Sequence, residues 1–449
     1  MEIRSKKVES IIEELMDQYA FSDKNKERPW IIGFSGGKDS TVLLTLVWIA
    51  LERLKEKSIE LIRPVYVVCN DTMVENPIIE EYVSDVLSHI KRASKEKELP
   101  VYVKKTTPKL EENFWINVIG RGYPVPNNTF RWCTDRLKIK PTSDFLLTQI
   151  DEMGEAIVLL GTRYEESVTR ANSIKKHEVK GKRLSKHNTS PNTYVYAPIK
   201  SMLIEEIWYI INAVPSPWGF DNSILFKIYA DASADDYECP TVVTNKNHTS
   251  CGQSRFGCWT CTVVKKDKSM SALVANGQEW MTPMMVMRDE LVEGRNLSKN
   301  RMETRRNGQR AVTDDGHNQG NYTPKYRSEI LERLLRIQLE IQETKPHVTL
   351  ISNQELIAIQ VIWHRDMIFD YSVHDIYQKV YHKELSTKNI SMLSITEKDV
   401  LTEICEENLD YYRLIDDLLT LQESKSLMIS KYGIHNDIEK RIEKFVVPE

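Results

Sequence analysis

PWIIGFSGGKDSTVLLTLVWIALERLKEK, residues 29–57, decides the fold. The apolar run PWIIGFS reads as a buried strand ending in a glycine-rich turn. DSTVLLTLVWIALERLKEK follows as a long helix with one strongly apolar face. Strand, tight turn and helix in direct succession make a place where an anion can be held. Gly36 and Gly37 let the backbone turn so that its N–H groups converge, and the positive end of the following helix adds to that field. Lys38 and the hydroxyls of Ser35, Ser40 and Thr41 supply further donors. The spacing is not that of Walker A, which needs four residues between its first glycine and GK[ST].

Outward from this stretch the chain alternates. RPVYVVCND, residues 63–71, is a β-branched run of the kind buried in parallel sheets. A charged helix is expected over 77–97, then the strand-like VYVKKT at 101–106. AIVLLGTR at 156–163 and YVYAPI at 194–199 read as further strands, and LIEEIWYIINA at 203–213 as a helix. Strands alternating with helices predict an α/β fold with a parallel sheet. From about residue 215 the character changes. Residues 215–275 are loop-rich and carry four of the seven cysteines, and 288–325 are polar. Helical periodicity returns in YRSEILERLLRIQLEIQE, NQELIAIQVIWHR and ITEKDVLTEICEENLDYYRLIDDLLTLQE. The expected organisation is an α/β domain over 1–214, a cysteine-bearing insert over 215–287, a polar basic loop over 288–324 and a helical region over 325–449.

The composition fits an ordinary globular protein, 41% hydrophobic and 28% charged over 449 residues. No apolar run approaches the roughly 18–20 residues of a membrane span. The N-terminus is charged and amphipathic rather than a secretory signal, so the cytoplasm is the expected location and no membrane partner is expected. A net charge of −4 argues against a strong free-standing nucleic-acid binder. Local basic runs remain, KKHEVKGKRLSKH at 175–187 and RNLSKNRMETRRNGQR at 295–310, either of which can meet a phosphate backbone.

The segment SCGQSRFGCWTCTVV, residues 250–264, holds Cys251, Cys258 and Cys261. In a chain of this kind clustered cysteines point to metal or catalysis rather than disulfides. Three thiolates are one short of a closed site. Cys133, in RWCTDRLKIKP, and Cys239, in YECPTVV, are the candidates for the fourth ligand. Spacing alone fits zinc. Cys69 and Cys405 read as small core residues.

GFSGGKDST, residues 33–41, resembles the phosphate loop of the PP-loop ATP pyrophosphatase family. That resemblance implies cleavage of ATP between its α and β phosphates, with Ser35, Gly36, Gly37, Lys38, Asp39, Ser40 and Thr41 holding pyrophosphate. NDTMVENP, residues 70–77, then supplies Asp71 and Thr72 as nucleotide contacts, with Asp71 also near Mg2+. GTRYEESVTR, residues 161–170, is similar to the family's G-x-R-x-x-E-S-x-x-R segment. It implies Gly161 beside the nucleotide, Arg163 and Arg170 facing phosphates, and Glu166 orienting them. Lys38, Asp39, Arg163 and Arg170 are the implied catalytic residues.

Within the superfamily, the loop together with RWCTDRLK and CGQSRFGCWTC resembles the DndC family, sulfurtransferases of bacterial DNA phosphorothioate modification, over about residues 28–275. That likeness implies a [4Fe–4S] cluster on Cys133, Cys251, Cys258 and Cys261, with zinc as the fallback. It also implies DNA as substrate, a cysteine desulfurase as sulfur donor, and other phosphorothioation proteins as partners. The alternatives are tRNA thiolation, phosphosulfate reduction, and a non-catalytic ATP-binding zinc adaptor in a nucleic-acid complex. Phosphosulfate reductases carry a cysteine in a C-terminal ECGLH-like tail, whereas no cysteine follows Cys405 here.

Overall fold

A computed structural model of the chain describes residues 5–23, 25, 27–179, 181–187, 190, 192–231, 257–264 and 266–385. Cys239, Cys251 and Cys405, and the helix expected over 395–423, lie outside the described residues. The chain divides into two compact units. The first takes Met1–Phe114 and Val125–Val292, the second Trp115–Pro124 and Glu293–Glu449.

The first unit opens with α1 (Lys6–Ala20), β1 (Trp30–Gly33), α2 (Lys38–Glu56), β2 (Val65–Asn70), α3 (Pro77–Glu96) and β3 (Val101–Thr106). It continues through α4 (Lys140–Met153), β4 (Ala156–Leu159), α5 (Val168–His177), β5 (Leu184–Lys186) and β6 (Thr193–Tyr196). Helices α6 (Ile204–Ala213), α7 (Asn222–Asp231), α8 (Lys268–Ala275) and α9 (Thr282–Gly294) follow. The sheet order is β3-β2-β1-β4-β6-β5, with β5 antiparallel to β6 and every other pairing parallel. The parallel α/β reading of the sequence therefore holds.

Alternation along β1 explains the layers. Trp30 and Ile32 pack into the large core that includes α1, α2, α3 and α6. Ile31 faces the other side, with Val68, Val158 and Leu146 of α4. Helix α3 starts where its sequence dictates: Asn76 accepts a hydrogen bond from the Ile78 N–H at 3.1 Å and Pro77 occupies the first turn. The strand order reverses between β1 and β4. At such a switch point the loops leaving the two strand ends diverge and open a crevice for ligands.

The second unit packs α10 (Pro324–Thr344), α11 (Asn353–Arg365) and α12 (Val373–Tyr381) around the segment Trp115–Pro124. Trp115 donates its indole N–H to the Leu350 carbonyl at 2.9 Å, and Trp363 donates to that of Ile119 at 2.9 Å. Both buried indoles are satisfied in this way. No helix among the described residues is long and apolar enough to cross a membrane.

An ion pair under β1 carries a stability prediction. Arg63 is fully buried, and burial pulls its pKa below the ordinary value despite Asp23. Its guanidinium lies 3.0 Å from Asp23 and donates to the Arg28 carbonyl at 2.6 Å. Asp23 also takes Arg28 at 2.5 Å. Removing the shared carboxylate leaves a buried charge without its counter-ion. Asp23→Ala is expected to lower stability by about 3–5 kcal/mol in urea denaturation, with Asp23→Asn recovering part of the loss.

Candidate nucleotide site

The phosphate loop leaves the sheet at Phe34, whose N–H donates to the Val68 carbonyl at 2.8 Å. Gly36 then adopts φ +74°, and a Cβ there would come within 2.6 Å of Val83 Cγ2. Tyr82, on α3, donates to the Gly36 carbonyl at 3.1 Å. Gly37 caps α2 without any side-chain bond. The two serines brace the turn. Ser40 Oγ donates to the Gly37 carbonyl at 3.0 Å and lies 3.2 Å from Ser35 Oγ. The Gly37 N–H reaches Ser35 Oγ at 3.4 Å. The result is a pre-formed nest at the positive end of a 19-residue helix.

β4 delivers the second half of the site. A Cβ at Gly161 would stand 3.1 Å from the backbone carbon and oxygen of Asp39, so glycine eases the close approach of this strand end to the start of α2. Asp39 lies between two cations, 2.5 Å from Arg163 Nε and 3.3 Å from Lys38 Nζ. Lys38 and Arg163 are each 1% exposed. Burial opposes the charge on Arg163, and Asp39, Glu166 and Glu165 outweigh it and raise its pKa. Glu166 accepts the Arg163 N–H at 2.7 Å with one oxygen and takes Arg170 at 2.9 Å with the other. Lys38, Asp39, Arg163, Glu166 and Arg170 thus form one chain of contacts.

The end of β2 lies alongside. Asp71 accepts the Met73 N–H at 2.8 Å and pairs with Lys105 at 2.8 Å. Thr72 is fully buried, donates to Glu75 at 2.8 Å and lies 3.2 Å from Cys258 Sγ. The backbone joins the same two segments: the Trp259 N–H reaches the Val74 carbonyl at 3.0 Å, and that of Asn76 reaches Gly257 at 3.3 Å. Cys258 and Cys261 share a turn closed by a 3.0 Å bond from the Cys261 N–H to the Cys258 carbonyl. Burial, with Glu75 adding to it, pushes the Cys258 thiol well up, and Lys138 pulls it the other way.

Cys133 immediately precedes the π-helical turn Thr134–Ile139 that carries Lys138. Among the described residues no group of three or more His, Cys, Asp and Glu side chains is arranged to hold a metal ion. Cys251, the remaining member of the expected set, is outside them. Cys258 and Cys261 supply two thiols on a Cys-x-x-Cys turn, which is the donor chemistry a zinc or iron–sulfur group uses.

Tyr82, Glu75 and Lys138 were not signalled by the motifs. Their positions depend on helix packing and on a backbone bridge between segments far apart in sequence.

A cleft opens beside Thr162, between α5 and the β5–β6 hairpin. Arg170, Lys182, Arg183, Lys186 and Lys200 rim it against Glu178, with Leu160 and Ile174 in its lining. Arg183 is paired with Asp17, and Lys200 with Glu178 at 2.5 Å. Lys182 and Lys186 have no carboxylate partner among the described residues. The basic run at 175–187 therefore contributes to one wall of a cleft next to the arginine segment.

The loop geometry yields a test. In Gly36→Ala the side chain must occupy left-handed backbone and displace Val83. The variant is expected to lose about 1–3 kcal/mol in urea denaturation and to bind ATP more weakly in calorimetry.

An uncharacterized protein of Methanocaldococcus jannaschii is 28% identical over 178 residues, 40% of this chain, and the chain spans 29% of that relative's length. Among solved structures, a phosphoadenylyl-sulfate reductase from Candida auris is similar over 51% of this chain and 93% of its own, at 14% identity and TM-score 0.29. A U34-tRNA thiolase from Methanococcus maripaludis, solved with its [4Fe–4S] cluster, is similar over 64% of this chain and 78% of its own, at 13% identity and TM-score 0.29. The sequence profile of the phosphoadenosine phosphosulfate reductase domain matches residues 29–264, more than half of the chain and the whole of the site described above. With the nest at the switch point and the strand ends gathered around it, the chain belongs to the phosphoadenosine phosphosulfate reductase domain family.

Proposed function

We propose that the chain is an ATP-dependent sulfur enzyme of the PP-loop kind. The observation that carries this reading is the buried Lys38–Asp39–Arg163 arrangement at the phosphate loop. Burying ionised groups costs stability unless they are paired, and an adaptor using ATP only as a signal has no need of them. The same arrangement suits a site that must neutralise a triphosphate.

In the proposed reaction the nest of 35–41 holds the β and γ phosphates. An oxygen of the acceptor attacks the α phosphorus, the α–β bond breaks, and pyrophosphate leaves with its electron pair. AMP is now on the acceptor oxygen, which becomes a leaving group. The outer sulfur of a persulfide bonds to the acceptor as AMP departs with the oxygen and its electron pair. A second thiol then attacks the carrier sulfur, breaking the S–S bond, forming a disulfide with the carrier and leaving the new sulfur on the acceptor. Phosphates and persulfide are already anionic near neutrality, so positioning and charge neutralisation carry the catalysis. Lys38, Arg163 and Arg170 supply the positive charge, and Asp39 and Glu166 orient them. Asp71 and Thr72 flank the nucleoside side, with Asp71 the candidate for holding Mg2+.

A metal group would be held by Cys133, Cys251, Cys258 and Cys261. As zinc it would clamp the segments together, and as a [4Fe–4S] cluster it would bring sulfur chemistry to the end of β2.

Among acceptors, phosphosulfate reduction or tRNA thiolation is better supported than DNA phosphorothioation. The matching family is that of the phosphosulfate reductases. A Cys-x-x-Cys plus one more cysteine, the pattern associated with tRNA thiolation, exists in Cys258, Cys261 and Cys133. The DNA reading rests on the sequence likeness of the phosphate loop, RWCTDRLK and CGQSRFGCWTC taken together.

Anaerobic protein with a persulfide donor separates these readings. Phosphosulfate with an added dithiol should give sulfite as the dithiol is oxidised to a disulfide, without ATP, whereas tRNA should stimulate pyrophosphate release and gain sulfur. Phosphorothioate formed in duplex DNA would instead restore the DNA reading. Sulfite formed without ATP contradicts the ATP-dependent reaction and leaves phosphosulfate reduction in its place, and neither sulfite nor pyrophosphate with any of the three contradicts both. The cleft adds a second test for a nucleic-acid acceptor. Lys182→Glu/Lys186→Glu should weaken its binding and flatten the salt dependence by about 0.7–0.9 per lost phosphate contact, leaving acceptor-free ATP binding unchanged.

A further inference from the structure

The nest described above contains a tyrosine hydroxyl. Tyr229, on α7, accepts a hydrogen bond from the Lys38 N–H, at 3.3 Å. That amide is the first of α2, one of the donors a helix leaves unsatisfied at its start and the one an incoming phosphate oxygen meets there. The Tyr229 ring also lies under the Lys38 ammonium, with Nζ 5.4 Å from its centroid. Both donors that Lys38 can offer an anion, its backbone amide and its side chain, therefore face the same phenol.

Tyr229 is well fixed in this position. It is 6% exposed, and Trp208 of α6 packs edge-on against its ring at 5.2 Å. Leu225 and Ile228, on the same helix, belong to the core. A phenol oxygen and a phosphate oxygen accept from an amide in the same geometry, and only one can occupy the Lys38 N–H in good geometry at a time.

We infer that the Tyr229 hydroxyl occupies the seat of a pyrophosphate oxygen, so that ATP and Tyr229 compete for the first amide of α2. This rests on the reading of 35–41 as the pyrophosphate nest. Tyr229 is then a positioning and specificity residue. A ligand with a pyrophosphate group offers a better acceptor than the phenol and takes the amide's hydrogen bond from it. A ligand without one, such as AMP, leaves Tyr229 in place. The competition sets a threshold on what the nest accepts without any change in the loop itself.

The test is calorimetric binding of ATP, inorganic pyrophosphate and AMP to the full chain, wild type beside Tyr229→Phe. Phenylalanine keeps the ring against Trp208 and removes only the competing oxygen. ATP and pyrophosphate should each bind about two- to tenfold more tightly to the variant, the size of one neutral hydrogen bond, while AMP binding stays the same. Unchanged or weaker ATP and pyrophosphate binding overturns the inference, the weaker case making the hydroxyl a ligand of the phosphates. A rise in AMP affinity equal to that of ATP overturns it too, since the gain would then not come from the pyrophosphate seat. Lys38→Ala is the control. If it leaves ATP binding untouched, the nest reading itself fails. If it abolishes binding while Tyr229→Phe changes nothing, only the competition fails.

Discussion

The carboxylate of Asp39 ties the phosphate loop to the end of β4, and much of the site depends on that tie. It sits on the first turn of α2, within 2.5 Å of Arg163 and 3.3 Å of Lys38. Three charges in so little solvent are tolerable only as a set, since any one alone faces a large desolvation cost. Gly161 eases the approach, because a side chain there would press on the Asp39 backbone. Arg163 is held further by Glu165 at 3.0 Å and by the Met202 carbonyl at 3.2 Å. An arriving triphosphate would find both cations aligned and would share them with Asp39, with little rearrangement of the protein.

A second constraint joins the neighbouring strand end to the cysteine turn. The bridge between Glu75 and Cys258, with Thr72 touching the sulfur, fixes the distance between the proposed nucleoside side of the site and a thiol. Asn76 belongs to both structures, capping α3 with its side chain and holding Gly257 with its amide. The segment carrying Lys138 closes on the same place, since the Leu137 carbonyl accepts from Asn70 Nδ2 at 2.9 Å. This gives a reason for cysteines more than a hundred residues from β2 to be found at its end: backbone pairing, rather than a motif, brings them there.

How much of this could be read from the sequence differed with the range of the interactions. The phosphate loop was legible because its function is local: Gly36 needs a left-handed backbone and the donors follow within five residues. Strands β1, β2 and β4 were legible because burial leaves continuous apolar runs, and the edge strand β3 was legible through the β-branched and aromatic residues of VYVKKT despite its exposed lysines. β5 was not, since Leu184–Lys186 is a three-residue edge strand inside a basic run and shows no period. α5 was hidden in the same way, having no buried face. The meeting of Asp39 with Arg163 spans 124 residues, and that of Lys38 with Tyr229 spans 191. The first was approachable through family likeness, while the second is visible only in three dimensions. The expectation of a loop-rich 215–275 missed α7 and α8 for a related reason: both are short, and α7 is separated from its packing partner α6 by the proline-containing stretch 214–220.

The central claim is that residues 35–41 hold a pyrophosphate group and that ATP is cut between its α and β phosphates. Phosphorus NMR of the products formed from ATP, with an accepting substrate present and with Lys38→Ala protein in parallel, tests it most directly. The account predicts AMP, free or joined to the acceptor, and pyrophosphate from the wild type, and neither from the variant. ADP and orthophosphate, or pyrophosphate formed equally by both proteins, would contradict it.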